Sequence, residues 1–380
     1  MQRYLRPLRM LGAILALLCF GATASTAAPS NELVNGYHYP RVVRLSHGSA
    51  AVNGTLVAST NGVIFRSVDE GATWKRISVV PSPTQDAFRC CSTLYEMPQA
   101  VGSLQAGTLL SAATVRANGA FEIDLYKSVD QGRTWTSLGI PVVGGATGGG
   151  GKQGVWEPEF AVGRGGALIL FWSDETDPCC SQKLAQMRTF DGVTWQDRKN
   201  TVASRVRLDR PGMVTVSKLP NGHYFMSYEM CGPSKGCAAS YRVSPDGWNY
   251  GDPAWLGSVA TTTKGQYFVH APTNAWSPLP GSANGAVLMV GQTFRESDGS
   301  FSSLNGNVIL SNRSADGAGP WSITTAPVPV LRARGDQPCT NYSSALLPSR
   351  NGAKLLELAS DGTRNECSTY FGTASVVMGR

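Results

Sequence analysis

The sequence predicts an all-β protein, a six-bladed β-propeller of four-stranded antiparallel blades, and three observations carry that prediction. Glycine and proline are abundant, 43 and 22 of 380 residues, which suits many turns between short strands. A tryptophan-bearing motif recurs at a fixed interval. Six pairs of strand-like apolar runs, each pair set around a turn, are spread along the chain at blade-like spacing.

The motif is clearest at residues 67–74, SVDEGATW, and 128–135, SVDQGRTW. Asp69 and Asp130 are 61 residues apart, and TFDGVTW at 189–195 places Asp191 another 61 residues on. Two looser copies follow, SPDGW with Asp246 and Trp248, and SADGAGPW with Asp316 and Trp321. In such an Asp-box the carboxylate accepts backbone N–H groups of a tight turn and the glycine takes a positive φ. The tryptophan is expected to pack the turn against its own sheet. These are structural tasks, so none of the five aspartates is assigned to chemistry.

Before each motif lie the two inner strands of a blade. They are RVVRL and TLVAST around Asn53-Gly54, TLLSAATV after Gly107, and ALILFWSDE after Gly165-Gly166. GMVTVSKL and HYFMSYE then flank Asn221-Gly222, VLMVGQTF follows Asn284-Gly285, and SSALLPS and KLLELAS flank Asn351-Gly352. Strands buried on both faces explain apolar runs without alternation. The N- and C-terminal strands are expected to close the ring.

Residues 1–28 read as a signal peptide: Arg3, Arg6 and Arg9, an apolar stretch from Leu11 to Ala22, then small residues. The remaining 29–380 are expected to form one catalytic domain that is secreted, monomeric and free of the membrane. Losing the leader removes three arginines and no acid, lowering the formal net charge from +7 to +4. That diffuse charge, with no Lys/Arg run, argues against nucleic acid. Eight of the nine cysteines follow the leader, an even number that suits disulfides in an oxidising compartment. Cys231 is expected to bridge Cys237 and Cys339 to bridge Cys367, with Cys90/Cys91 and Cys179/Cys180 linking neighbouring repeats. No cysteine or histidine spacing supports a metal site, and no cofactor is expected.

Propeller ligands usually sit at the channel mouth, where innermost strands begin and second strands end. Aligning the blades on their first turn puts Arg41, Tyr95-Glu96, Trp156-Glu157, Arg210, Asn274 and Tyr342 at the inner-strand starts. The second-strand ends are Thr60, Thr114, Asp174-Glu175, Glu229, Thr293 and Ser360. Glu229 stands out as a carboxylate at the tip of an apolar strand, where most blades have a small residue. Glu157 stands out in GVWEPEF, with Glu159 as a competitor expected on the same face of an extended strand. Two glutamates converging on a mouth lined by Trp, Tyr and Arg suggest glycoside hydrolysis, one as acid and one as nucleophile or base.

The Asp-boxes together with YPRVV, WEPEF, RPGMVTVSKLPNGHYFMSYE and NYSSALLPSRNG resemble the sialidase superfamily and, within it, glycoside hydrolase family 93. The resemblance covers most of the chain after the leader. It implies an exo-acting α-L-arabinanase that releases arabinobiose from the non-reducing end of linear 1,5-linked arabinan with retention. It also implies that Glu157 is the acid/base, Glu229 the nucleophile and Tyr342 an assisting residue. Arg41, Tyr95, Glu96, Trp156 and Arg210 are then expected along the sugar subsites, with plant-wall arabinan or another glycan as the substrate. An exo-sialidase would need three arginines on a carboxylate, of which Arg41 and Arg210 could be two, beside Arg332 or Arg334. A non-catalytic glycan-binding propeller would keep the aromatics without needing both glutamates.

Overall fold

In a computed structural model, which describes residues 31–82, 89–146, 153–330, 339–363 and 366–375, the chain forms six antiparallel sheets and, among these residues, no helix. Residues 1–28, expected to be a leader, and Arg332 and Arg334 lie outside the described residues. Blade 1 runs Pro40–Arg44, Leu56–Thr60, Val63–Ser67 and Lys75–Val79, from the channel outward. Blade 2 is Arg89–Glu96, Leu109–Ala117, Ala120–Ser128 and Thr136–Ala146; blade 3 is Val155–Val162, Leu168–Asp174, Lys183–Thr189 and Gln196–Val202. Inner strands of successive blades touch around a complete circuit, the last meeting the first. Six blades therefore form one ring.

Blade 4, built on Arg210–Lys218, Tyr224–Cys231 and Ala238–Ser244, departs from the four-strand expectation. Short strands Ser258–Val259 and Tyr267–Val269 both pair with the outer edge of its third strand, and Thr293–Arg295 pairs with the latter. Blade 5 runs Thr273–Leu279, Ser282–Val290, Val308–Asn312 and Ser322–Thr325. Its second strand thus stops at Val290, and Thr293, expected at that strand's tip, belongs to the edge of the neighbouring sheet. In blade 6 the strands Ala345–Pro348, Lys354–Thr363 and Glu366–Ser375 are completed by Asn31–Asn35 from the other end of the chain. This is the expected closure by terminal strands.

Second strands are the core of each blade. All seven residues of Leu168–Asp174 are buried, because sheets pack on both of their faces. The apolar clusters lie between blades: Val57 and Ile64 of blade 1 meet Leu94, Leu109 and Tyr126 of blade 2. Truncating such a leucine costs about 2–5 kcal/mol, from lost transfer energy and the cavity left behind.

Every motif aspartate occupies the turn between third and fourth strands, on the face where first and second strands are also joined. Asp130 accepts the backbone N–H groups of Arg133 and Thr134 at 3.1 and 2.9 Å, and the hydroxyls of Ser128 and Thr134 at 2.7 and 2.6 Å. Asp69 repeats the pattern with Ser67 and Thr73. The tryptophans do not pack on their own sheets alone. Trp135 donates to Ser78 Oγ of blade 1 at 3.2 Å, Trp74 sits edge-on to Phe371 of blade 6, and Trp321 meets Phe225 of blade 4. Each turn is folded over the preceding blade, which brings its indole within reach of that sheet.

The cysteines form four disulfides. Cys231–Cys237 and Cys339–Cys367 are paired as expected, whereas Cys90–Cys91 and Cys179–Cys180 are each bonded within the adjacent pair and link no repeats. All four lie at the inner-strand starts or in the turns between second and third strands, the face opposite the aspartate turns.

Candidate active site

One backbone feature recurs around the mouth. At or just before the start of every inner strand a non-glycine residue takes a left-handed conformation: Tyr39, Cys91, Glu157, Met213, Ala271 and Ser343, with φ of 65°, 59°, 58°, 57°, 44° and 55°. Such residues cost on the order of 1 kcal/mol each, so six in register mark a constraint of the ring itself. In blades 2, 3 and 4 the kink coincides with a break in the pairing register. Tyr39, Met213 and Ala271 cluster at the mouth with Cys91 and Tyr342 against them.

Glu157 is the kinked residue of blade 3. Its Oε2 accepts the hydroxyl of Ser173 at 2.6 Å and the backbone N–H of Met213, across the blade seam, at 2.8 Å. Burial, reinforced by the neighbouring Glu229 charge, pushes its carboxyl up to about 7 against the downward pull of those two hydrogen bonds. Gly212 makes the approach possible. A Cβ there would lie 2.5 Å from Gln182 Nε2, 3.2 Å from Ser173 Oγ and 3.4 Å from Glu157 Oε2.

Glu229 lies two residues before the end of the second strand of blade 4, directly opposite Gly212 in the ladder. Its Oε2 accepts the backbone N–H of Ala271 at 2.9 Å and lies 3.6 Å from His270 Nδ1. His270, unremarked in the sequence, also stands 3.7 Å from Cys231 Sγ. With Cys237 these three could suggest a metal set, but both sulfurs are spent in the disulfide. Tyr342 is half-buried, packed on Tyr39 and His38. Burial first, then the charges of Glu157 and Glu229, hold its hydroxyl well above the usual tyrosine range. No hydrogen bond joins it to either glutamate among the described residues.

Glu159 does not share a face with Glu157. The left-handed kink at Glu157 and the register break between Trp156 and Glu159 interrupt the alternation. The buried Glu159 carboxyl takes its own neighbour's N–H, at Phe160, at 3.0 Å and faces Thr93 of blade 2. Burial pushes it up to about 7, with Arg41 opposing.

The expected subsite residues divide. Trp156 is half-buried beside Glu157, its ring 4.6 Å from that of Phe121. Arg41 is buried, stacked 4.3 Å over the Tyr39 ring and bonded to Ser343 Oγ at 3.0 Å. Arg210 is ion-paired with Glu175 and bonded to Gln182 at 2.6 Å. Both guanidiniums thus have protein partners and are not posed as a free carboxylate clamp. Asn274, also on the ring, pins blade 5 to Thr215 and Ser227 of blade 4.

Tyr95 and Glu96 are at the wrong end. They finish the inner strand of blade 2, which begins at Arg89, and so lie on the aspartate-turn face. Tyr95 accepts the Val162 N–H at 3.0 Å, and Glu96 takes Ser46 N–H at 2.9 Å, His47 N–H at 3.0 Å and the His47 ring at 3.0 Å. The cause is the segment after Glu96, where Val101 and Leu104 pair in a small extra hairpin. Counting back from Gly107 therefore stops short; Cys90-Cys91 occupies the place expected of Tyr95-Glu96.

Ring, blade order and a mouth holding two carboxylates define a propeller of sialidase-like architecture. Structures matching nearly the full length of both chains include two fungal enzymes. A Penicillium chrysogenum α-L-arabinanase, solved with arabinobiose, superposes with a TM-score of 0.73 at 27% identity over 91% of this chain and 98% of its own. A family 93 α-L-arabinofuranosidase of Fusarium graminearum, also with arabinobiose, gives 0.73 at 25% identity over 93% and 98%. The NanB sialidase of Streptococcus pneumoniae shares the fold alone, with a TM-score of 0.58 at 11% identity over 93% of this chain and 70% of its own. The likeness to glycoside hydrolase family 93 seen in the motifs is thus matched by the folds. No family profile and no curated protein matches the chain.

Proposed function

We propose that this protein is a secreted, single-domain glycosidase that degrades arabinan, cutting arabinobiose from the non-reducing end of linear 1,5-linked chains with retention. The observation that carries the reading is the placement of Glu157 and Glu229 against the consecutive residues Met213 and Gly212. One carboxyl is held where it keeps a proton near neutrality. The other accepts a backbone N–H with an imidazole close by.

In this mechanism Glu157 donates its proton to the departing glycosidic oxygen while Glu229 attacks the anomeric carbon. Water, deprotonated by the now anionic Glu157, then displaces Glu229 and restores both groups. Tyr342 shapes the field between the carboxylates without touching them, and Trp156 offers an aromatic face to a sugar. The arabinobiose bound by the two fungal relatives supports the substrate class. The sialidase alternative is disfavoured, because Arg41 and Arg210 are already engaged.

Incubation with debranched arabinan and, separately, with a sialyl-lactose tests the reading. Arabinobiose as the sole early product is the expected result. Release of sialic acid, or binding of arabinan with no hydrolysis, would overturn it.

A further inference from the structure

We propose that the Cys90–Cys91 disulfide is a sugar-contact surface, an apolar wall of the glycone chamber facing the two glutamates. The inference rests on the arabinan reading above and adds to it a site that neither charge nor hydrogen bonding would identify.

The geometry supplies three reasons. Cys91 is the left-handed residue of blade 2, the position that Glu157 holds in blade 3, so the same kink that delivers the acid to the mouth delivers this sulfur. Cys91 packs into the mouth cluster with Tyr39, Met213, Ala271 and Tyr342, and Tyr342 in turn feels the charge of both glutamates. Both cysteines are half-buried, so the disulfide retains surface open to a ligand.

The chemistry fits one side of a furanose. A sugar ring has polar edges and faces of C–H groups; the two glutamates stand on blades 3 and 4, and the Cys90–Cys91 bridge stands on blade 2, packed in the Tyr39–Met213–Ala271 cluster. A disulfide carries no proton donor and is polarisable, so a C–H face can desolvate it at little cost. Bridging adjacent residues closes almost no loop, so this bond adds little through the unfolded chain. Its contribution is then local, a rigid patch where two thiols or serines would be mobile and hydrated.

The test pairs a variant with a measurement on the unaltered protein. C90S/C91S is expected to raise KM on debranched arabinan at least fivefold with kcat within about twofold, and C90A/C91A, apolar and tolerated in the left-handed conformation as at Ala271, to recover part of that loss. In the unaltered protein, a dithiol breaks the S–S bond and becomes a cyclic disulfide, and iodoacetamide caps the two freed thiols. Peptide mass spectrometry should show that saturating arabinobiose slows this capture at Cys90 and Cys91 at least fivefold. A folded serine variant with unchanged KM, or capture at one rate with and without arabinobiose, overturns the inference. If the unaltered protein leaves arabinan intact, it is the underlying reading that fails.

Discussion

The backbone N–H of Met213 reaches across the seam between blades 3 and 4 to bond Glu157 Oε2 at 2.8 Å. Gly212, the preceding residue, faces Glu229 in the blade 4 ladder. The two carboxylates are therefore positioned by consecutive residues of one inner strand. Relative motion of blades 3 and 4 would separate them, which ties the chemistry to the rigidity of a single seam.

The pH dependence of catalysis follows from Glu157. An acid catalyst must carry its proton, and this carboxyl is pushed up to about 7, so kcat/KM should fall as pH rises through about 7. Glu157→Gln should lower kcat on arabinan by about 10²–10⁴-fold and erase that alkaline limb. An aryl arabinobioside, whose leaving group needs no proton, should lose far less. A variant retaining the limb would remove Glu157 from the acid role.

Glu229→Gln should abolish hydrolysis and keep affinity for arabinobiose within a few-fold by calorimetry, since the amide preserves size and the contact with Ala271 N–H. Residual turnover near the unaltered rate would show that another group attacks.

Gly212→Ala should cut kcat about tenfold with only a small change in melting temperature. The added methyl displaces the flexible end of Gln182 and presses on the Ser173–Glu157 pair, a disturbance of the site more than of the core. Unaltered kinetics would mean that the seam has slack.

Asp130→Ala should behave oppositely, lowering the melting temperature by a few degrees through loss of the turn's hydrogen bonds while leaving KM and kcat unchanged. The aspartate turns and the glutamates stand on opposite faces, so kinetics are the discriminating measurement.

Stability should itself depend on pH through Glu357, which is fully buried with Val328 N–H at 2.9 Å and has its carboxyl pushed up to about 8 by burial. A raised carboxyl binds its proton more tightly in the folded state. Folding is then unpenalised below the unfolded value, near 4.5, and loses stability progressively as pH rises toward 8. Melting temperature should accordingly fall between pH 5 and pH 8, and Glu357→Gln should flatten that slope. An equal slope in the variant would assign it to other groups.

Much of this was legible in the sequence because repeated physics leaves repeated residues. The five aspartate turns and six strand pairs gave the blade number, and comparing inner-strand starts and second-strand ends singled out Glu157 and Glu229 as candidates. What escaped were features set by backbone conformation. The left-handed kinks fall on Tyr, Cys, Glu, Met, Ala and Ser, types with no shared preference for positive φ, so no composition announces them. One such kink parted Glu157 from Glu159. The hairpin at Val101 and Leu104 shifted the blade 2 alignment, misplacing Tyr95 and Glu96. His270 reaches Glu229 from the segment leading into blade 5, and Ser173 reaches Glu157 from the adjacent strand of its own blade, neither at a position the blade comparison inspected.

Blade 6 is a composite, its outer edge laid down by Asn31–Asn35 on Glu366–Ser375. The earlier segment thus waits for one more than 300 residues later, and among the described residues the contact joining them carries the longest chain closure. Until then the growing chain is a horseshoe with two open sheet edges, the state most exposed to pairing with other chains. Closure of the ring is thus a single fastening event, and a break anywhere between the two strands leaves both halves held by one sheet.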